Sequence, residues 1–173
     1  MHYPGAIDAC RLPGPNVPAQ LAPGTVEIPA DSVKAAEAKV IPDDHASEGN
    51  EITTCRRLFA RAVGGKPDLQ DYRVVTIAVV RFTQSDADEA AAKASQLMTD
   101  ALGDHSGVRL ATGVGDEAGF SEQWAAVRTE NVVLGVVIAD GGTEAALIPP
   151  ATLDNVQAVV TDMTGTLHKD FQG

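Results

Sequence analysis

Aromatic residues, basic residues and long apolar runs are all scarce in this chain of 173 residues. Aromatic side chains make up only 4% of the sequence while hydrophobic residues make up 44%, so the core must consist mainly of valine, alanine and leucine. No apolar run approaches the roughly 20 residues that a helix needs to cross a bilayer. The sequence therefore predicts a single domain of ordinary size without a membrane-spanning helix.

Acidic residues outnumber basic ones, 24 to 13, which gives a formal net charge of −11. Such a charge repels the phosphates of nucleic acids and of anionic membrane surfaces. We therefore expect no nucleic-acid partner. The acidic excess favours either a generally solvated surface or a cationic partner.

The motifs of common catalytic and metal sites are missing as well. The sequence has no Gly-x-Ser-x-Gly nucleophile elbow, no zinc-protease helix motif and no Cys-x-x-Cys pair. Carboxylate pairs for acid–base chemistry stay open, because 24 acidic residues permit any arrangement. We predict no catalytic residue, no metal ligand and no cofactor.

Two cysteines, Cys10 and Cys55, are the most informative residues that are present. Their pairing as one disulfide predicts an oxidising compartment outside the cytosol, while two unrelated buried thiols in a cytosolic protein remain the alternative. A bridge closing a loop of roughly 45 residues is worth on the order of 4 kcal/mol. Asp8 precedes Cys10 by two residues and no apolar stretch comes before it, so we do not expect Cys10 to carry a lipid.

The N-terminus lacks the basic segment and apolar stretch of a signal peptide. An extracytoplasmic location, secreted or at the cell surface, therefore requires a signal or anchor segment that is absent from this sequence. Any membrane tether must likewise lie outside it.

Residues 1–50 are predicted to form an irregular, proline-rich arm, because seven of the ten prolines fall between Pro4 and Pro42. These prolines prevent any long helix or strand. One short helix is expected at 31–39. We expect the arm to wrap over the domain, tied down by the disulfide.

Residues 51–173 are predicted to form one α+β domain. Alternation and β-branched residues predict strands, and apolar spacing of three and four predicts helices. The resulting order is β-β-α-β-β-β-α, a mostly antiparallel sheet with the helices packed on one face. The strands are expected at 52–62, 73–83, 108–111, 123–129 and 132–139, and the helices at 85–102 and 151–167.

Three short motifs resemble a group of secreted actinobacterial domains, which includes lipoproteins and the extracellular sensor domains of membrane-bound serine/threonine kinases. They are Asp8-Ala9-Cys10, Gly115-Asp116-Glu117-Ala118 and the hairpin sequence from Val127 to Leu134. The resemblance implies an extracytoplasmic α+β domain. For the kinase sensors it implies a ligand-binding ectodomain.

Five residues are candidates for a ligand or partner surface: Arg56, Arg57, Arg73, Phe120 and Trp124. The arginines, together with Arg61, form the main basic concentration and suggest an anion-binding patch, or alternatively a solvated face paired with acids. The two aromatic residues suit either a ligand cleft or core anchors.

The loop that contains Gly115, Asp116 and Glu117 is predicted to be structural. Its acids would repel a bound phosphate, so the glycines are expected to provide tight backbone conformations. The pairs Asp43/His45 and Asp104/His105 would form a metal site only if folding joined them.

The segment Asp162-Met163-Thr164-Gly165-Thr166 resembles the nucleophile motif of haloacid-dehalogenase-type phosphatases. Thr164 stands where that chemistry needs a second acid, and helical spacing runs through the segment, so we expect a helix there instead.

We therefore expect a non-catalytic extracytoplasmic ligand-binding or sensor-type domain of the cell envelope, with a small molecule or an envelope protein as its partner. Its binding groove is expected between the sheet and the arm. Two alternatives stay open: an envelope structural protein that docks a partner through its acidic face, and a hydrolase with an unrecognised site.

Overall fold

A computed structural model describes residues 2–34, 40, 49–142 and 147–172. Its strands are β1 (Thr25–Ile28), β2 (Asn50–Val63), β3 (Lys66–Phe82), β4 (Arg109–Ala111), β5 (Glu117–Phe120), β6 (Trp124–Thr129) and β7 (Val132–Gly142). Its helices are α1 (Val17–Leu21), α2 (Ala87–Gly103) and α3 (Leu153–Phe171), with a 3-10 turn at Ala9–Arg11. None of the helices in the described residues is long and apolar enough to span a membrane.

Within the described residues, seven strands form one antiparallel sheet in the order β1-β2-β3-β7-β6-β5-β4. Two long hairpins, β2–β3 and β6–β7, form its centre. The first turns at Gly64 and Gly65, whose φ values of 58° and 78° suit a two-residue hairpin turn. The second turns at Glu130 and Asn131, as predicted. The predicted α+β class with an antiparallel sheet is confirmed.

The predicted loop at 113–119 is corrected in part, because residues 117–120 form β5. This four-residue segment is too short to show a strand period. It is held as a strand by its neighbours, since it pairs with β4 on one side and β6 on the other.

Helices α2 and α3 lie on opposite faces of the sheet, so the prediction that both pack on one face is wrong. The apolar stripe of α2 packs with Phe82 and Trp124, whereas that of α3 packs with Val127 and Leu134. Alternate residues of a strand point to opposite faces, and the central strands are apolar at nearly every position. Both faces therefore needed a cover.

Each long helix begins at a side-chain cap. Asp86 accepts a hydrogen bond from the amide of Glu89 at the start of α2. Thr152 accepts one from Asn155 at the start of α3. The caps satisfy amide groups that have no partner within the helix.

The N-terminal arm contributes directly to the core on the α3 face. Tyr3, Leu12 and Leu21 are completely or almost completely buried there. The prediction that the arm is irregular is corrected in part, because β1 pairs with β2 at one edge of the sheet. Prolines at 23 and 29 flank this strand, which fits an edge position. Residues 31–34 of the predicted 31–39 helix are not helical, and residues 35–39 lie outside the described part of the chain.

Two arginines of β3 hold the arm by its backbone. Arg81 donates to the carbonyl oxygens of Tyr3 and Pro4. Arg73 donates to the carbonyl oxygen of Leu21 over 2.8 Å and to those of Ile148 and Pro149, just before α3. Guanidinium groups suit this use because they carry five donors in a rigid fork.

Candidate functional site

A cleft of about 740 Å³ opens between β4 and α3 at the edge of the sheet. One wall consists of residues 109–112, which form β4 and the residue after it. The other wall is a stripe of five α3 residues: Asp154, Gln157, Ala158, Thr161 and Asp162.

The amphipathic pattern of α3 creates this wall. Positions spaced by three and four residues share one face of a helix. Val156, Val160, Met163 and Leu167 are buried and fix the helix on the sheet. The polar stripe is thereby placed alongside β4, with the small side chain of Ala158 at its middle.

Strand β4 is the last strand of the sheet and pairs only with β5 in the described part of the chain. Such an edge presents backbone amide and carbonyl groups without a strand partner. Leu110, at the centre of β4, is 70% exposed. The strand thus offers both hydrogen-bonding groups and apolar surface to a ligand.

Arg109 is held by α3 on the cleft side. Its Nη2 atom lies 3.1 Å from Asp154 Oδ1 and 2.6 Å from Gln157 Oε1. The Asp162 side chain is exposed and forms no hydrogen bond or ion pair with any described residue. The carboxylate available to a ligand is therefore that of Asp162, about 12 Å along the helix from Asp154 at 1.5 Å per residue.

A smaller cleft of about 470 Å³ lies near the start of α3, between residues 106–107 and 121–123. The predicted groove between sheet and arm does not match either position. Where the arm is described, its junction with the sheet is filled by buried side chains, among them Ile7, Leu12 and Leu21. Residues 35–39 and 41–48 of the arm lie outside the described residues, so the expected groove stays a prediction.

The predicted disulfide between Cys10 and Cys55 is present, with Cα atoms 5.0 Å apart. It joins the 3-10 turn of the arm to the α3 face of β2. No free cysteine occurs in the described chain.

The predicted basic and aromatic surface does not form. Arg73 is 2% exposed, Phe120 is 0% exposed and Trp124 is 3% exposed, so these three side chains belong to the interior and the prediction is corrected for them. Arg57 forms a two-pronged ion pair with Glu27, and Arg56 donates to the carbonyl oxygen of Val33.

The arginines do not gather into an anion site because each has its own partner. In particular, Arg73 forms a two-pronged pair with Asp140 at 2.6 and 3.2 Å, in addition to its bonds to carbonyl groups. The Arg57 guanidinium holds the pKa of Glu27 below its usual value. These residues therefore fit the alternative interpretation, in which the arginines pair with other groups and the aromatic residues anchor the core.

The Gly115-Asp116-Glu117 loop is organised around Arg128. Asp116 accepts hydrogen bonds from the Glu130 amide at 2.6 Å and from Arg128 at 3.2 Å, and Glu117 forms an ion pair with Arg128. Gly115 has φ +60°, and a Cβ atom there would collide with the carbonyl oxygen of Arg128. These contacts give the loop the structural role expected for it.

His105 and His168 are engaged in ring packing and hydrogen bonding. The His105 ring stacks on Trp124 at 4.1 Å, and His168 Nδ1 lies 2.9 Å from the Tyr3 hydroxyl. Asp43 and His45 lie outside the described residues. Among the residues that are described, no three metal-ligating side chains cluster.

The sequence did not reveal the cleft or the place of Asp162 in its wall, although the helical spacing did predict that Asp162 lies on a helix. The polar stripe at 154, 157, 158, 161 and 162 was the available signal. This stripe forms the wall of a cleft only because the fold places β4 beside it.

Comparisons with known proteins identified no relative of this chain. No protein-family model, curated protein or solved structure matches the chain.

Proposed function

We propose that this chain is an extracytoplasmic binding domain of the cell envelope, of the ligand-binding or sensor type, which holds its ligand in the β4–α3 cleft without transforming it. The observation that carries the proposal is the cleft itself, an open groove of about 740 Å³ between a polar helix stripe and a strand edge that no other described strand pairs with. Its volume lies within the range of small-ligand sites.

The chemistry of the cleft favours binding. Its cation, Arg109, is already engaged with Asp154 and Gln157, and its remaining polar groups are hydroxyl, amide and carboxylate groups spread along about 12 Å of helix. Groups that are spread along a wall in this way contact a long ligand at several points.

The disulfide supports the proposed location. A bridge such as Cys10–Cys55 forms and persists in oxidising compartments. The resemblance to secreted lipoproteins and kinase sensor domains supports the same location. Protease treatment of intact cells of the source organism tests it, and a chain that is protected until the cells are lysed would contradict it.

A cleft-filling substitution tests the binding site. Ala158→Trp places a large ring at the middle of the groove, on an exposed helix position. Ala92→Trp makes the same change on an exposed position of α2, away from the cleft. Both variants should fold normally, as judged by circular dichroism.

Small-molecule fragments are then screened by amide chemical shifts of ¹⁵N-labelled protein. We expect hits that shift residues 109–112 and 154–162, and that are lost in Ala158→Trp but kept in Ala92→Trp. A screen whose hits all map elsewhere, or that survive Ala158→Trp, contradicts the proposal.

A further inference from the structure

We infer that the occupant of the cleft is an extended peptide segment that adds to β4 as a further antiparallel or parallel strand and places a basic side chain on Asp162. This inference rests on the proposed function, since it names the ligand class for the same site. Strand edge, groove length and charge support it independently.

The strand edge supplies the main-chain recognition. The outer side of β4 has no strand partner in the described chain, and an added strand satisfies its amide and carbonyl groups. Because α3 lies beside this edge, a segment in that position is also covered on one face. The edge strand and the helix thus form the two walls of the groove.

The length of the groove matches a short segment. The helix stripe from Asp154 to Asp162 covers eight residue-to-residue steps, or about 12 Å. An extended chain rises about 3.3 Å per residue, so about four residues fill the groove. Strand β4 and the residue after it provide four residues in the opposite wall.

The two faces of the added strand meet different surroundings. Leu110 pairs with Gly119 and lies on the α2 face of the sheet, whereas Arg109 and Ala111 lie on the α3 face. Side chains of the peptide alternate between these faces. Those on the α2 face contact exposed Leu110 and should be apolar, while those on the α3 face enter the cleft.

Charge selects the residue type on the cleft side. Arg109 is satisfied by Asp154 and Gln157, so the carboxylate free to pair is that of Asp162. The chain as a whole carries −11, which attracts a cationic segment from a distance. A lysine or arginine flanked by apolar residues is the expected pattern.

The test uses two mixtures of random acetylated heptapeptides, one with lysine and one with glutamate fixed at the centre. We expect the lysine mixture to shift the amide signals of residues 109–112 and 154–162 at lower concentration than the glutamate mixture. Individual peptides selected from the lysine mixture should bind about tenfold more weakly when those of their own backbone amides that face β4 are N-methylated.

Matched variants separate the contribution of the Asp162 carboxylate from that of the apolar Leu110 side chain. Asp162→Asn should weaken the lysine peptides about three- to fivefold, whereas Asp104→Asn, the same change outside the cleft, should have no effect. Leu110→Asp should weaken both mixtures, while Leu147→Asp, at an exposed leucine elsewhere, should not.

Three outcomes overturn the inference alone. The first is fragment binding in the cleft without peptide binding, which leaves the proposed function standing. The second is peptide binding that tolerates N-methylation and Asp162→Asn. The third is a stable dimer of the free protein that Leu110→Asp dissociates, since a second copy would then occupy the edge. Failure of both fragments and peptides to reach the cleft overturns the proposed function as well.

Discussion

Removal of the Cys10–Cys55 bridge should destabilise the domain by about 4 kcal/mol. The bridge joins residues 45 apart, and the chain-entropy relation gives an entropy difference of about 13 cal/mol/K for a loop of that length, or about 4 kcal/mol at 25 °C. The effect acts on the unfolded chain. The native arm should stay in place, because Tyr3, Leu12 and Leu21 remain buried and Arg73 and Arg81 still hold its backbone.

The assay is equilibrium unfolding in urea, with and without reductant, alongside the double variant Cys10→Ala/Cys55→Ala. For a domain of this size, 4 kcal/mol corresponds to a decrease in melting temperature of about 8–16 °C. The free energies of unfolding of the reduced wild type and of the double variant should agree within about 1 kcal/mol. The reductant should have no effect on the double variant, which serves as the control.

Two results would refute this reasoning. Unfolding of the wild type that is insensitive to reductant would mean that the arm contributes no loop constraint. Alkylation of both cysteines in the unreduced, denatured protein, detected as added mass, would mean that the bridge is absent.

Other perturbations have equally definite outcomes. Arg73→Ala leaves Asp140 and three carbonyl groups without their donor, so it should lower the free energy of unfolding in urea by about 3–5 kcal/mol. Arg57→Ala breaks an exposed pair and should lower it by less than about 1 kcal/mol. Equal losses in the two variants would contradict this difference. Gly115→Ala should lower the free energy of unfolding more than Gly113→Ala does, because both glycines have positive φ but a Cβ atom collides with its surroundings only at 115. The backbone strain that both variants share is about 1–2 kcal/mol. Identical denaturation midpoints for the two variants would contradict the collision. Burial raises the pKa of Tyr3 above its ordinary value of 10.0, so the unfolded chain releases this proton first and stability should fall as the pH rises above 10. Tyr3→Phe should flatten that decline, and an unchanged slope in urea titrations between pH 9 and 11 would exclude Tyr3 as its source.

The predicted elements succeeded where a local pattern carried the information. The spacing of apolar residues identified α2 and α3, and dense β-branched sequence identified β3 and β7. The hairpin turn at Glu130–Asn131 was likewise local. These signals depend on residues fewer than ten positions apart, so a single sequence is sufficient to read them.

Residues with a distant partner were misjudged. Arg73 was counted with a surface patch because its charge is visible in the sequence, whereas its partners are 52 to 76 residues away. The sequence around Phe120 and Trp124 fits both a cleft and the core for the same reason, and only the fold buries them. Strand β5 has no pattern of its own and exists through pairing on both sides.

The sequence alone determined the α+β class, the two hairpins, the two long helices and the cysteine pair available for a bridge. The tertiary structure decided which face of the sheet each helix covers and that the described part of the arm belongs to the core. It also decided that the outer edge of β4, which has no strand partner among the described residues, lies beside the polar stripe of α3. The reason is physical: local periodicity is written in neighbouring residues, whereas a cleft is formed by surfaces that only the folded backbone brings together.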